Sequence, residues 1–281
     1  MKKLFIFGDV HSFYNEWMDC LKSAGFEKDN HDHILVSLGD LCDRGKDAVK
    51  CLKFINSIPE ERKICVIGNH EFVMEEMIKR GMPFPNDYSN GTLDTVEQLT
   101  CIYGHPESAI LDMRDNSLWN NYKKSWVFYA EVGDNIFVHG WIPCMLNTRF
   151  TNASYEYMKN WRKAYPHKFK EASWVNGMRA WNDGVRENGK TIFCGHWYTS
   201  YGHANLRDDG VESLDNKRQV ESFKAKHGEE AEPYVNYDPF VDEGIMALDG
   251  CTPISKKVNV YALSIADEVF DRYLRENKRN F

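Results

Sequence analysis

The chain of 281 residues has no Cys-x-x-Cys pair among its eight cysteines, which stand at 20, 42, 51, 65, 101, 144, 194 and 251. That spacing argues against a zinc ribbon. No apolar run approaches the roughly 20 residues of a membrane-spanning helix. Met1-Lys-Lys is followed by only four apolar residues, Leu4 to Phe7, before Gly8-Asp9. Four is too few for the apolar region of a signal peptide. There is no excess of positive charge: 35 Lys and Arg stand against 42 Asp and Glu, for a formal net charge of −7. Such a chain carries no electrostatic footprint for duplex nucleic acid and no basic patch for a membrane surface. There is no internal repeat and no low-complexity segment. Cys65 and Cys194 lie inside apolar runs and read as small core residues. A reducing compartment, the cytoplasm, is therefore expected.

With 42% hydrophobic and 27% charged residues, the composition is that of an ordinary globular protein. The length suffices for a full core, and one domain spanning 1–281 is expected. Residues 3–8, 34–38 and 63–67 read as buried strands. Helical spacing follows each: Phe13 to Ala24, Ala48 to Ile55 with Pro59 closing, and Phe72 to Arg80. Strands alternating with helices in this way indicate βαβ units and a parallel sheet. Two stretches, about 81–135 and 145–189, read as helical, cap-like insertions. Residues 136–138, 191–194, 245–248 and 258–263 resume strands. The segment 203–242 reads as loop-rich, and 266–281 as a charged helix.

Three motifs close the first three strands: Gly8-Asp9-Val10-His11, Gly39-Asp40-Leu41-Cys42-Asp43-Arg44-Gly45 and Gly68-Asn69-His70-Glu71. In parallel sheets, function collects at the carboxyl ends of strands. Asp9 and Asp40 lie 31 residues apart, and Asp40 and Asn69 lie 29 apart, each about one βαβ unit. Two later strands end in His139-Gly140 and Gly195-His196. A turn or cap role explains one Gly-Asp; it does not explain the ordered set. Carboxylate, imidazole and amide oxygen together suit two divalent metals with an open position. One ion would take Asp9, His11 and Asp40. The other would take Asp40, Asn69, His139 and His196, with Asp40 as the bridge. An arginine beside such a pair points to phosphoester hydrolysis. Mixed N/O ligands without thiolate admit Mn, Fe, Zn, Co or Ni. His203 reads as structural.

In this order, GDVH, GDLCDRG, GNHE, VHG and CGH resemble the calcineurin-like metallophosphoesterases. More narrowly, they resemble the branch that holds bacterial and phage serine/threonine phosphatases and diadenosine tetraphosphate hydrolases. The resemblance runs from residue 4 to about 200, and Ile245-Met-Ala-Leu-Asp-Gly250 extends it to about 265. It implies an α/β fold, a four-layer αββα sandwich with two mixed sheets, and the ligand assignment above. It implies that Arg44 and Asn69 bind phosphate and that His70, oriented by Asp43, protonates the leaving oxygen. A hydroxide bridging the metals would attack phosphorus in line, and manganese would be the usual activator. Four positions depart from the pattern. Ser12 and Trp141 stand where smaller residues are common, and Trp197-Tyr198 where Thr-Pro is common. The second phosphate-binding arginine has no clear counterpart; Arg179 is the candidate and Arg186 the other choice. Trp141, Trp197 and Tyr198 read either as core or as pocket walls for a nucleobase or aromatic ester. The expected substrate is a phosphomonoester, protein phosphoserine or phosphothreonine or a small ester. The alternative is a nucleotide anhydride or diester.

Overall fold

Alternation along the first strand, β1 (Lys2–Phe7), sets the layering of the molecule. Leu4 and Ile6 face one core and Phe5 and Phe7 another, and all four are fully buried. A strand buried on both faces needs a layer on each side. In the computed structural model, which describes residues 1–148 and 153–277, those layers are a second sheet and a set of helices.

The chain runs β1, α1 (Tyr14–Ser23), β2 (His33–Ser37), α2 (Ala48–Asn56), β3 (Lys63–Val66) and α3 (Asn69–Arg80). Four helices follow: α4 (Pro85–Ser89), α5 (Thr92–Thr100), α6 (Pro106–Met113) and α7 (Ser117–Lys124). Then come β4 (Trp126–Val127), β5 (Ala130–Val132), β6 (Asn135–Phe137), the ribbon strands β7 (Cys144–Asn147) and β8 (Ser154–Tyr157), α8 (Pro166–Ala172) and α9 (Gly177–Asn182). The remainder is β9 (Thr191–Cys194), α10 (Thr199–Leu206), α11 (Lys217–His227), β10 (Phe240–Asp242), β11 (Ile245–Ala247), α12 (Thr252–Ser255), β12 (Val260–Ile265) and α13 (Asp267–Asn277).

The first sheet has the order β12-β1-β2-β3-β4 and the second β10-β11-β9-β6-β5. In the first, β1, β2, β3 and β4 are parallel and β12 is antiparallel to β1. In the second, β11, β9 and β6 are parallel and the two edge strands are antiparallel. Both sheets are mixed. Leu4, Ile6, Val36 and Val66 meet Phe137, Phe193, Met246 and Leu248 between them. On the outer face of the first sheet, Phe5, Phe7 and Cys65 pack with Trp17 of α1, Leu52 of α2 and Met74 of α3. On the outer face of the second, Ile136, Ile192 and Ala247 pack with Trp141, Trp161 and Met178. The order of layers is helix, sheet, sheet, helix, as expected.

Three stretches differ from the sequence reading. Residues 81–135 are helical only to 124; Trp126-Val127 and Ala130–Val132 are edge strands, too short to show alternation. The helices α5, α6 and α7 do not stand apart as a cap. Val96, Ile110, Met113 and Trp119 lie in the same core as Phe5 and Phe7, so they complete an outer layer. Residues 145–189 contain the antiparallel ribbon β7–β8 besides helices; residues 149–152 lie outside the described residues. The polar stretch 203–242 holds the 11-residue helix α11, which buries only Phe223 and so leaves little apolar signature. The last four residues of the expected tail helix also lie outside the described residues. All eight cysteines are free thiols. Among the described residues no helix is long and apolar enough to cross a membrane.

Candidate metal centre

Six parallel strands aim their carboxyl ends at one place, at the rim where the two sheets meet. Two or three residues past each end stands a polar side chain: Asp9 after β1, Asp40 after β2, Asn69 after β3, His139 after β6, His196 after β9 and Asp249 after β11. Helix α3 begins at Asn69, earlier than the expected Phe72, so Asn69 and His70 sit in its first turn. The loops are locally strained. His11, Ser12, Asp40, Asp43, Arg44 and His196 all have positive φ between 50° and 73°. Non-glycine residues adopt that region at a cost, and such residues cluster at functional sites. Gly68 illustrates the crowding, since a Cβ there would come within 2.2 Å of Asp40 Oδ1.

Asp40 is the common member of two donor groups. It lies with His11 and His70 in one and with His139 and His196 in the other, ligand atoms in each being within 4.8 Å of one another. The His139 Nδ1–H donates to the Leu38 carbonyl at 2.8 Å. That leaves the Nε2 lone pair 2.7 Å from Asn69 Oδ1 and 3.4 Å from Asp40 Oδ1. Acceptors so close together call for a cation between them. His11 follows the same logic: Nδ1–H donates to the Cys42 carbonyl at 3.1 Å, and Nε2 faces Asp40 Oδ2 at 3.8 Å. Fixing the far nitrogen in this way orients a histidine for metal ligation. Asp9 accepts the His196 backbone N–H with both oxygens at 3.1 Å. The donor set thus fits two divalent ions.

Electrostatics agree. Burial lowers His11, His139 and His196, the last to about 3, which keeps the imidazoles neutral and able to ligate. Burial opposes the charge on Asp40, yet His139, His70, His11 and His196 hold its carboxyl well below the usual range. Burial raises Asp9, and Asp249 and Asp40 push the same way. Crowded carboxylates of this kind are what divalent cations neutralise.

Beside the cluster, His70 Nδ1 donates to Asp43 Oδ2 at 2.7 Å. Burial pulls the His70 ring down, but Asp40 and Asp43 lift it above its ordinary value. Its Nε2 lies 3.2 Å from Arg44 Nη2. Arg44 is exposed, and its Nη1 donates to the Tyr198 hydroxyl at 3.3 Å. A guanidinium and an imidazole therefore converge at the mouth of the site. Trp174 (49% exposed) and Trp197 (38% exposed) stand edge-on to His196 at 5.7 and 6.3 Å. Trp141 is core: it is buried, and its indole N–H donates to the Val185 carbonyl at 3.0 Å. Arg179 turns toward the ribbon, donating to the Ala153 carbonyl with its guanidinium 5.7 Å from the Tyr155 ring. Arg186 donates to the Trp181 carbonyl and stacks on its indole. His203 pairs with Asp209 and takes no part in the cluster.

Two participants escaped the sequence reading. Asp249 is buried, with Oδ2 lacking a partner, and Leu248-Asp249-Gly250 after a strand repeats the Gly-Asp signal one residue out of phase. Glu71 carries its motif's last position but had no role assigned. Its carboxylate accepts the N–H groups of Asp40 at 3.0 Å, Leu41 at 3.0 Å and Gly68 at 2.8 Å. It ties two of the site loops together.

A pair of adjoining nitrogen–oxygen donor sets with an arginine and a histidine at its mouth defines a metal-dependent phosphoesterase. The chain belongs to the calcineurin-like phosphoesterase family, whose sequence model matches residues 2–231. It is 39% identical over 67 residues to a symmetrical bis(5'-nucleosyl)-tetraphosphatase of Psychromonas ingrahamii, covering 24% of this chain and 23% of the relative. It is 36% identical over 70 residues to serine/threonine-protein phosphatase 1 of Salmonella typhimurium, covering 25% of this chain and 30% of that one. The chain thus spans about a quarter of the length of these relatives. Among solved structures, a metallophosphoesterase from Sphaerobacter thermophilus aligns over 99% of this chain and 94% of its own, at 16% identity and a TM-score of 0.41.

Proposed function

We propose that the protein is a phosphatase of phosphomonoesters, acting on protein phosphoserine or phosphothreonine or on small esters. The observation that carries this reading is the His70–Asp43 pair beside Arg44. An alcohol leaving from phosphorus needs a proton, and a positioned acid contributes about 10²- to 10⁴-fold there. A phosphate leaving from an anhydride is a far weaker base and gains little from one. In this reading Asp9, His11, Asp40, Asn69, His139 and His196 hold two divalent ions, manganese being our assignment. When bound, the ions acidify water and polarise the phosphoryl oxygens. Arg44 pairs with the phosphoryl oxygens, and Asn69 offers its amide to the same group. Arg179 of α9 is our second cation, and to meet the phosphate it would have to leave the Ala153 carbonyl and the Tyr155 ring that hold it in this structure. His70 gives its proton to the leaving oxygen, while Asp43 keeps the ring turned toward it. The free thiols support a reducing compartment, the cytoplasm.

A second reading is a nucleotide hydrolase. It is favoured by the exposed indoles of Trp174 and Trp197, which could stack a base, and by the name of the Psychromonas relative. The test is hydrolysis of p-nitrophenyl phosphate, bis-p-nitrophenyl phosphate, a phosphoserine peptide and diadenosine tetraphosphate, with Mn²⁺ or EDTA. We expect metal-dependent cleavage of the monoester and the peptide. Turnover of the diester or the dinucleotide, with the peptide untouched, would replace this reading by the second.

A further inference from the structure

Helix α5 reaches the centre with three side chains, Thr92, Thr95 and Gln98, whose spacing of three puts them on one face. Thr95 Oγ1 accepts the Asp43 N–H at 3.0 Å. Gln98 donates to the Gly45 carbonyl and accepts the Ala48 N–H, each at 3.1 Å. Thr92 Oγ1 donates to Asp43 Oδ2 at 2.7 Å. The loop gripped in this way carries positive φ at Asp43 (73°) and Arg44 (61°). Gly91 lies directly against it, and a Cβ there would come within 2.7 Å of the Arg44 nitrogen. Surrounding structure must hold such a conformation, and α5 supplies much of it.

Asp43 Oδ2 has two donors, Thr92 and His70. Its other oxygen is buried without a partner. The carboxylate is therefore oriented from one oxygen only. Without the Thr92 hydroxyl, only the His70 bond would set the turn of the carboxylate, and each group would be free to move with the other.

We propose that Thr92 is a positioning residue for phosphoester cleavage, its hydroxyl fixing the Asp43 carboxylate and, through it, the His70 ring that faces the leaving group. The inference rests on the phosphatase reading above and deepens it. As the phosphorus–oxygen bond breaks, its electron pair goes to the leaving oxygen, which takes the proton from His70 Nε2. The attacking water forms the new bond to phosphorus on the opposite face and loses its proton to solvent, and the ring takes up a proton from solvent.

The experiment compares kcat/KM for p-nitrophenyl phosphate and phenyl phosphate in the Mn²⁺-loaded enzyme. Phenolate is the poorer leaving group, its acid having a pKa of about 10. Thr92→Val should lose about tenfold or more on phenyl phosphate, the scale of an outer-shell partner, and less than about threefold on the nitrophenyl ester. Thr92→Ser should restore both. In a His70→Asn background, Thr92→Val should add nothing, because two residues acting as one unit are not additive. Equal losses on both esters, or a further loss in the His70→Asn background, would assign Thr92 a merely structural role and overturn the proposal. Should Thr92→Val not fold, Thr92→Ala carries the same comparison. If the wild type cleaves diesters and not monoesters, the phosphatase reading falls. The ratio is then read on the phenyl and nitrophenyl diesters, so failure of the reading and failure of the Thr92 role are told apart.

Discussion

Asp249 offers a quantitative test of the electrostatics of the centre. Burial pushes its carboxyl from an ordinary 3.8 up to about 7, against the pull of the Cys251 N–H and Arg44. The folded, metal-free protein therefore keeps a proton at Asp249 over a range where the unfolded chain has lost it. Below about pH 4 both states are protonated and the group contributes nothing. Between about pH 4 and 7 the folded state binds more protons, so stability falls as pH rises. Above pH 7 the penalty is complete. About three pKa units at 1.36 kcal/mol each amount to about 4 kcal/mol. An unfolding entropy of about 2.1 cal/mol/K per residue, over 281 residues, turns this into roughly 7 °C in Tm. Asp249→Asn removes the charge but not the acceptor that takes the Cys251 N–H at 2.9 Å. The new amide group enters a position where Oδ2 had no partner, and the like-charge repulsion between Asp249 and Asp9 is removed. After EDTA treatment the variant should melt up to about 7 °C above the parent at pH 8 and level with it at pH 4. With Mn²⁺ bound the difference should shrink, since the cations offset the same charge. Circular dichroism melts at pH 4, 6 and 8 read this directly. A variant that melts below the parent at pH 8, or is displaced equally at pH 4 and pH 8, refutes the reasoning.

Two further expectations concern the loops. Glu71→Ala leaves three buried N–H groups without their acceptor, each worth about 1–3 kcal/mol. We expect a loss of at least about 3 kcal/mol in denaturant unfolding, and a loss within about 0.5 kcal/mol would show that water replaces the carboxylate. Asp40→Asn removes the member common to both donor groups, so both ions should bind more than about 100-fold more weakly, beyond the cost of an outer-shell change. Metal analysis after gel filtration should then find well under two manganese per chain; two retained ions would contradict the bridging role.

What the sequence displays most clearly is what is encoded locally. Leu4 to Phe7, Ile34 to Ser37 and Ile64 to Val66 are apolar runs buried on two faces, and the motif after each needs no long-range knowledge to read. Of the polar residues now gathered with Asp40, all but Asp249 stand in Gly-Asp, Gly-Asn-His or strand-end His contexts. Asp249 was less legible because β11 is only three residues long and Leu248 separates it from its aspartate. Thr92 and Thr95 give no signal at all: a threonine on an amphipathic helix reads as surface until the fold brings it to Asp43. The ribbon β7–β8 hides for another reason. Its strands are four residues each, and the exposed Met145 and Leu146 break the alternation that identifies a strand. The aromatic residues divide by environment rather than by type. Trp141 and Trp197 occupy like positions after β6 and β9, yet one is core and the other faces solvent.

The pairing of β1 with β12 has a consequence for biosynthesis. Lys2 pairs in register with Ile265, so β1 waits until residue 265 has been made before its second neighbour exists. Every loop that bears a candidate ligand has been translated by His196, but until residue 265 leaves the ribosome one flank of β1 is an open edge. An unpaired edge invites pairing with other chains, and contacts so distant in sequence form slowly. A nascent chain at that stage would hold all its chemistry in a half-closed frame, which makes the closing strand the step most exposed to chaperones and to misassembly.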